Sequence, residues 1–140
     1  MRNMSFSITT GQIKSGTKDV TRRSGWLFLK PGDLVRPVRK ARGLRPGEKI
    51  EPLRAPIRIV SVRREPLRTM LDDLEYGYEE VRREGYEGHP EYGHPSAWVQ
   101  MFCLSHKGTT PDSLVTRIEF EYTDASGQPG KRRRSDPALP

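Results

Sequence analysis

A cation and a hydroxyl lie three residues apart in the stretch Gly16–Arg23. Lys18 supplies the amine, Thr21 supplies the hydroxyl, and Arg22 and Arg23 follow directly. An amine that releases its proton beside a hydroxyl that can attack forms a minimal nucleophile pair. The same side chains also suit the binding of a phosphate backbone. The stretch therefore has two interpretations, a catalytic site and a nucleic-acid-binding site.

The composition predicts one small domain with a modest core. The chain has 140 residues, a hydrophobic fraction of 33%, 13 glycines and 12 prolines, which favours short elements and many turns. No apolar run is long enough to cross a bilayer, and the N-terminus lacks the apolar segment of a signal peptide. The single cysteine, Cys103, excludes an internal disulfide and fits a reducing cytoplasm. We therefore expect a cytoplasmic protein with no membrane partner.

The basic residues are concentrated in the first half of the chain. Residues 1–70 contain 17 Lys and Arg against 5 Asp and Glu, whereas residues 71–140 contain 8 against 13. The formal net charge of +7 therefore combines +12 in the first half with −5 in the second. A basic surface of this density attracts nucleic acid through counterion release. The alternative is that many of these arginines are solvated charges along strand edges.

The first half of the sequence predicts one helix and two strands. Residues Ser5–Ser15 have helical spacing, and Gly16 is a plausible stop for that helix. Leu34–Arg39 resembles a strand, but Pro37 within it favours an edge position or a bulge. Ile57–Arg64 is β-branched and bounded by prolines, which predicts a central strand.

The second half predicts two helices and a strand. Thr69–Arg83 has helical spacing, and Gly77 is the expected point of division within it. Ser96 is a suitable N-cap for a helix that ends before Gly108. Leu114–Thr123 alternates between apolar residues and charged residues such as Arg117, which predicts a half-buried strand.

Strands interleaved with a few helices predict a compact, barrel-like α+β domain. Residues 124–140 are rich in Ser, Gly, Pro and charge and include the basic cluster Lys131–Arg134. We expect this tail to be disordered and to act as an electrostatic arm.

Several short motifs follow one another in an order that resembles an ASCH domain. The matching pieces are Gly16-x-Lys18-x-x-Thr21-Arg22-Arg23, Lys30–Asp33, Glu84–Tyr86, Phe102-Cys103 and Thr116–Phe120. The resemblance extends from about Phe6 to Thr123. It implies that residues 1–123 form a PUA-like mixed β-barrel of about five or six strands with two or three helices. It also implies a cleft, an association with RNA, and a phage or bacterial source.

The motifs are similar to those of small ASCH members that remove the acetyl group from the exocyclic amine of cytidine. Their Thr-Lys-Glu set corresponds to Thr21, Lys18 and Glu84. The resemblance implies that Thr21 attacks the acyl carbon, neutral Lys18 takes its proton, and Glu84 orients the lysine or carries the proton to the leaving amine. This chain departs from them in having Gly85-Tyr86 where those hydrolases have Asn-Met, and in insertions at residues 43–56 and 87–95.

The alternative is a structural role for the same residues. A charged Lys18 paired with Glu84 would be an ion pair, which raises the lysine pKa and opposes catalysis. Thr21 would then be a hydroxyl that stabilises a turn. The sequence alone leaves both roles open.

Other candidate residues favour structural interpretations. His89, His94, Cys103 and His106 match no closed zinc pattern, so we predict no metal site. Tyr86 is the best candidate for stacking on a base, whereas the helical spacing of Trp98 assigns it to the core. Four glutamates are interpreted as solvated helix or loop charges; they are Glu65, Glu75, Glu79 and Glu80.

Three functions remain. The leading one is RNA or nucleoside binding in a basic cleft by a monomer without a cofactor. The predicted contacts are Lys18, Arg22, Arg23, Tyr86 and Arg117. The alternatives are an amidohydrolase acting on acylated cytidine and a module whose basic face binds an acidic protein partner.

Overall fold

The computed structural model describes residues 1–124 and residue 128. The predicted tail of residues 124–140, with its cluster Lys131–Arg134, lies outside the described residues except for Asp124 and Gln128. In the described part of the chain, no helix has the length and apolar character needed to cross a membrane.

One mixed sheet forms the centre of the fold. Its strands are β1 (Arg2–Ser5), β2 (Val20–Arg23), β3 (Leu34–Val38), β4 (Ile57–Pro66) and β5 (Leu114–Tyr122), in the order β1-β3-β4-β5-β2. β1 runs parallel to β3, and the other neighbouring strands are antiparallel. Helices outside the sheet complete a mixed α+β fold, as predicted. Within residues 1–124 no pairing joins β1 to β2, so the sheet is open and the closed barrel stays a prediction.

Short helices pack against this sheet. They are α1 (Thr10–Ser15), α2 (Thr69–Asp72), α3 (Leu74–Val81) and α4 (Pro95–Ser105), and a π-helical turn at Arg82–Tyr86 continues α3. The described part of the chain therefore has four α-helices instead of two or three. The fourth helix arises because the predicted helix Thr69–Arg83 is divided into α2 and α3.

The predicted helix Thr69–Arg83 is divided at Asp73. Asp73 has an extended backbone (φ −126°, ψ 97°), and its side chain accepts a hydrogen bond from the Tyr76 N–H at 3.1 Å. It therefore caps the N-terminus of α3. The predicted division at Gly77 is wrong, because Gly77 lies inside α3. A Cβ there would lie 2.1 Å from the carbonyl oxygen of Met70, so only glycine allows α2 and α3 to approach this closely.

The first predicted helix begins later than expected. Residues 2–5 form β1, and only Thr10–Ser15 is helical, so the start of the predicted helix at Ser5 is wrong. The predicted stop is confirmed: Gly16 adopts the left-handed conformation (φ 77°), and its N–H donates to the carbonyl of Ile13 at 3.2 Å.

Helix α4 begins one residue before the predicted cap. His94, not Ser96, is the N-cap, and its Nδ1 accepts a hydrogen bond from the backbone N–H of Ser96 at 3.0 Å. Pro95 then occupies the first turn, where a missing N–H costs nothing.

Strand β4 is central, as predicted, but Pro37 does not mark an edge strand. β3 lies between β1 and β4. Its pairing with β4 is limited to Leu34 and Val35, so the missing N–H of Pro37 interrupts no ladder on that side. The Pro37 carbonyl accepts from Leu53 of the following loop instead.

Strand β5 is buried on both faces from Val115 to Ile118, so the prediction of a half-buried strand is wrong there, whereas Glu119 and Glu121 farther along are partly exposed. One face joins an apolar cluster with α1 and the neighbouring strands through Ile118, Phe120 and Tyr122. The other face lies beneath the helices, where Val115 joins a second apolar cluster and Arg117 is 3% exposed. The helices thus cover the charged face of β5 at Val115 and Arg117.

Candidate functional site

A cleft of about 270 Å³ lies along β2, between the segment that follows β1 and the helices. Lys18, Thr21 and Glu84, the predicted catalytic set, all line it. Ser5, at the end of β1, and Arg23, on β2, form part of its rim. The remaining lining is largely aromatic: Phe6, Tyr86, Trp98, Phe102 and His106.

Lys18 and Glu84 form a buried, hydrogen-bonded pair that lines the cleft. The Lys18 Nζ donates to Glu84 Oε1 at 2.7 Å and to the Glu84 carbonyl oxygen at 3.0 Å, and each residue is 2% exposed. Burial lowers the pKa of Lys18, and the opposing charge of Glu84 offsets only part of this effect. The predicted pairing is therefore present, but burial favours the neutral amine more strongly than the glutamate favours the charged one.

Gly85 allows this pair to form. It adopts the left-handed conformation (φ 98°) inside the π-helical turn. A Cβ there would lie 3.3 Å from the Lys18 Cβ and 2.7 Å from the Gln12 Cγ. The absence of a side chain thus lets α1 and Lys18 approach the backbone that carries Glu84.

Thr21 lies on the same cleft but makes a different contact. Its Oγ1 accepts a hydrogen bond from Arg23 Nε at 3.0 Å, and the residue is 3% exposed. Within the described residues, no hydrogen bond joins Thr21 to Lys18. Arg23 also donates through Nη2 to the Ser5 carbonyl at 2.7 Å, and burial lowers its pKa to about 10. The predicted set therefore converges on one cleft without forming a closed triad.

Arg22 holds the Glu84 carboxylate through the oxygen that Lys18 does not bind. Its Nη1 donates to Glu84 Oε2 at 3.1 Å, and its Nη2 donates to Glu80 Oε1 at 2.6 Å and Glu65 Oε2 at 3.1 Å. Burial opposes the charge on Arg22, but the three carboxylates raise its pKa. The terminal nitrogens are thus engaged, and Nε is the one side-chain nitrogen of Arg22 for which the described residues provide no partner.

Glu80 joins two arginines that lie directly opposite each other. Arg22 on β2 is in register with Arg117 on β5, and such like-charge neighbours repel. Glu80 accepts from Arg22, and it also accepts from Arg117 through Nε at 2.5 Å and Nη2 at 3.1 Å. Burial alone would raise the pKa of Glu80, but Arg117 and Arg22 lower it to about 2. Lys18, Arg22 and Arg117 thus share one buried cluster of ionisable side chains with Glu65, Glu80 and Glu84.

The buried charges differ from two sequence-based expectations. Glu65 is 8% exposed and Glu80 is 1% exposed, so their assignment to the solvated surface is wrong. Glu75 and Glu79 are exposed. Arg117, predicted to contact nucleic acid, does not line the cleft and directs its donors to Glu80. The contact of Arg117 with nucleic acid stays a prediction.

The aromatic wall includes residues that the sequence did not identify as site residues. Trp98 is 3% exposed and belongs to the second apolar cluster, as predicted, but it also lines the cleft. Its indole Nε1 is a buried donor with no partner among the described residues. Tyr86 is 6% exposed on the same cleft, and burial raises its pKa to about 12.

His106 extends the aromatic wall. Its ring stacks on Phe102 at a centroid separation of 3.9 Å, and its Nδ1 lies 2.9 Å from the Phe102 carbonyl oxygen. Because a carbonyl only accepts, Nδ1 carries a proton, and Nε2 of a neutral ring is free to accept. The sequence presents His106 only as a possible zinc ligand, so its place on this cleft escaped prediction.

The histidines and cysteine that suggested zinc are not brought together. Among the described residues, no group of three or more His, Cys, Asp or Glu side chains is arranged to hold a metal ion. His89 Nδ1 accepts from the backbone N–H groups of Glu91 and Tyr92 at 3.0 Å, and His94 caps α4. Cys103 is half-buried.

Comparison with known proteins assigns no family to the chain. No family model matches it, and no curated protein is similar to it. Among solved structures, the chain is similar to protein EF3133 from Enterococcus faecalis V583, which is described by the family model DUF984. The two share 18% identity over 86% of this chain and 78% of that chain, with a TM-score of 0.48.

Proposed function

We propose that the cleft beside β2 binds a nucleoside, either free or within RNA, and that the chain is an ASCH domain. The observation that carries the proposal is the unpartnered Nε1 donor of Trp98, which is buried at the cleft. A buried donor without an acceptor costs roughly 1–3 kcal/mol. A ligand oxygen that accepts this hydrogen bond recovers that free energy. Arg22 Nε is a second buried donor for which the described residues provide no acceptor.

The shape and lining of the cleft support a nucleobase as the ligand. A pyrimidine offers both a π-face for stacking and carbonyl oxygens for donors such as Trp98 Nε1. Tyr86 and Phe6 supply apolar ring surface, Lys18 supplies an amine, and Arg23 supplies positive charge. The volume of about 270 Å³ lies just below the range of pockets for drug-sized ligands, which suits one nucleoside.

The PUA-like barrel is part of the same proposal. The sheet ends at β1 and β2, and the hydrogen bond from Arg23 on β2 to the Ser5 carbonyl on β1 links these two edges at 2.7 Å. A side chain that spans the two edges replaces backbone pairing and leaves room for the cleft. This contact supports an incompletely closed barrel.

Substitution of Trp98 by Phe tests nucleoside binding. Trp98→Phe keeps an aromatic ring and removes the indole N–H, so we expect the Kd for cytidine in isothermal titration calorimetry to rise about tenfold. Trp26→Phe is the matched control, since Trp26 does not line the cleft, and its Kd should equal that of the wild type. Absence of cytidine binding in the wild type, or equal affinities of the two variants, would contradict the proposal.

A second candidate is hydrolysis of the acetyl amide of acetylated cytidine. The specific observation in its favour is the hydrogen bonding of Lys18, which donates twice, both times to Glu84. A neutral amine has two protons and one lone pair, so these two bonds leave the lone pair available to accept a proton. A charged amine would have a third proton, for which the described residues offer no acceptor. Burial, which lowers the pKa of Lys18, favours the neutral form.

The proposed reaction begins at Thr21. The Thr21 hydroxyl leaves its contact with Arg23 and attacks the acyl carbon as its proton moves to the Lys18 amine. The C–N bond then breaks, and the cytidine amine takes that proton from Lys18, which leaves an acyl ester on Thr21. Water hydrolyses the ester to acetate and restores the hydroxyl. Glu84 keeps Lys18 oriented throughout.

Turnover of acetylated cytidine tests this second candidate. Thr21→Val preserves the shape of the side chain and removes the hydroxyl, so release of cytidine and acetate should be abolished, while Thr21→Ser should retain turnover. Because the reaction needs neutral Lys18, kcat/KM of the wild type should rise with pH and level off above the pKa of Lys18. No turnover in the wild type, or undiminished turnover in Thr21→Val, excludes the hydrolase.

A further inference from the structure

A second and larger depression of about 1030 Å³ adjoins the cleft, and we propose that it binds the phosphodiester backbone of a nucleic-acid strand whose base enters the cleft. We call it the basic groove; its characteristic side chains are Arg2, Arg23, Lys40, Arg42, Trp26 and Phe28. This inference rests on the proposed binding of a nucleoside and narrows it to one class of ligand, a single strand.

The charged residues that line the basic groove are all positive. Four cationic side chains line it, and within the described part of the chain no Asp or Glu does. Arg2 and Arg42 are exposed, and no carboxylate of the described residues lies within ion-pairing distance of either. Among the described residues, Lys40 pairs only with Glu48, at 3.6 Å on the surface, and such pairs contribute little free energy. These cations are therefore available to a polyanion.

Aromatic side chains lie among these cations. Phe28 is 51% exposed, and its ring lies 5.3 Å from that of Trp26. The Arg2 guanidinium lies 4.3 Å from the centroid of the Phe28 ring. A groove that combines cations with exposed rings is typical of surfaces that bind single strands, where phosphates meet the cations and bases stack on the rings.

The basic groove is continuous with the cleft. Ser5, Ser7, Arg23 and His106 line both, so the two share a boundary formed by the end of β1, by β2 and by the end of α4. A strand with one base in the cleft can thus continue into the basic groove without crossing another element.

The charge of the ligand distinguishes a strand from a free nucleoside. A nucleoside is neutral and fits the cleft alone, so it has no group for Arg2, Lys40 or Arg42 to bind. A strand adds one phosphate per nucleotide, and each phosphate neutralised by the protein steepens the salt dependence of binding by about 0.7 in log K against log salt. The surplus of cations beside the cleft is therefore explained by a strand.

The double variant Arg2→Gln/Arg42→Gln tests this proposal, with Lys14→Gln/Arg45→Gln as the charge-matched control. Lys14 and Arg45 are exposed, carry the same total charge, and line neither the cleft nor the basic groove. The probes are cytidine and fluorescently labelled five-nucleotide oligocytidylates, one of RNA and one of DNA. Affinities are measured at several salt concentrations by calorimetry and fluorescence anisotropy.

We expect Arg2→Gln/Arg42→Gln to bind an oligocytidylate on the order of tenfold or more weakly than the wild type at 0.1 M salt. The slope of log K against log salt should become shallower by about 1.4, since two phosphate contacts are lost. The affinity of this variant for cytidine should be unchanged, and the control should match the wild type for every probe. Tighter binding of the RNA oligocytidylate would identify the ligand as RNA. Equal affinities for the RNA and DNA oligocytidylates would mean that the groove accepts either kind of single strand. Both results support the inference.

Equal oligocytidylate affinities and equal salt slopes in the two double variants would overturn the inference. So would wild-type binding of the oligocytidylates that does not depend on salt. Failure of the wild type to bind cytidine would overturn the proposed function of the cleft instead, because the effect of the groove is measured independently on the oligocytidylates.

Discussion

Strand β5 separates two interiors of opposite chemistry. On one face, Ile118 and Phe120 are almost fully buried in an apolar cluster. On the other face, Arg117 belongs to a cluster of six buried ionisable side chains that also holds Lys18 and Glu84. One alternating sequence thus contributes to an apolar core through one set of positions and to an ionic one through the other.

The two interiors contribute differently to the molecule. Burial of apolar surface stabilises a fold directly. A buried ionic cluster has large desolvation costs, and its net contribution is close to that of apolar side chains of the same size. The ionic cluster instead positions the residues of the site, because Arg22 holds the Glu84 carboxylate that binds Lys18 at the cleft. The apolar face holds the sheet together, and the ionic face holds the site in place.

The largest expected effect comes from breaking the ionic face. Glu80→Gln removes the carboxylate that lies between Arg22 and Arg117, which leaves an uncompensated buried positive charge. We expect the free energy of unfolding in urea at pH 7 to fall by about 3–5 kcal/mol.

Glu75→Gln is the matched control for this substitution. Glu75 is exposed on the same helix, α3, and its replacement should change the free energy of unfolding by about 0.5 kcal/mol or less. If Glu80→Gln lowered the free energy of unfolding by less than about 1 kcal/mol, the ionic cluster would contribute no more to stability than the surface charges do.

Acid should weaken the ionic face next. The pKa of Glu80 is about 2 in the folded protein, below its ordinary value of 4.5. The unfolded chain therefore binds more protons between these values, and the stabilisation from Glu80 is lost as the pH falls from about 4.5 to 2. We expect the difference in free energy of unfolding between wild type and Glu80→Gln to shrink by about 3 kcal/mol between pH 5 and pH 2.

Urea unfolding of both proteins at intervals of half a pH unit measures this loss. The comparison isolates Glu80, because other carboxylates with lowered pKa values, such as Glu65 and Glu79, titrate in both proteins. A difference that stays constant over this range would show that Glu80 is not held ionised by its arginines.

The apolar face of β5 follows from the sequence, and the ionic face does not. Ile118, Phe120 and Tyr122 recur at every second position, which identifies a buried face. Charged residues at the intervening positions, such as Arg117, normally indicate solvent. Only the packing of α3 and the π-helical turn over that face buries it, and no local pattern encodes this packing.

The same limit applies to the site. The motifs around Lys18 and Glu84 predicted a contact between residues 66 positions apart, and the contact is present. Trp98 and His106 escaped prediction as cleft residues, because helical spacing cannot distinguish an aromatic ring in the core from one that also faces a cleft. Their role depends on where the segment after β1 lies relative to α4.

The smallest expected effect comes from the apolar face. Ile118→Val removes one methylene group from a side chain with no exposed surface, so the free energy of unfolding should fall by about 0.5–1.5 kcal/mol. Ile118 packs among apolar side chains without an ion pair, so this loss should be the same at pH 5 and pH 2. Urea unfolding at the two pH values measures it beside Glu80→Gln. A loss in Ile118→Val that changed with pH as much as the loss in Glu80→Gln would mean that the two faces of β5 respond as one unit, and that the ionic cluster cannot be altered separately from the core that supports it.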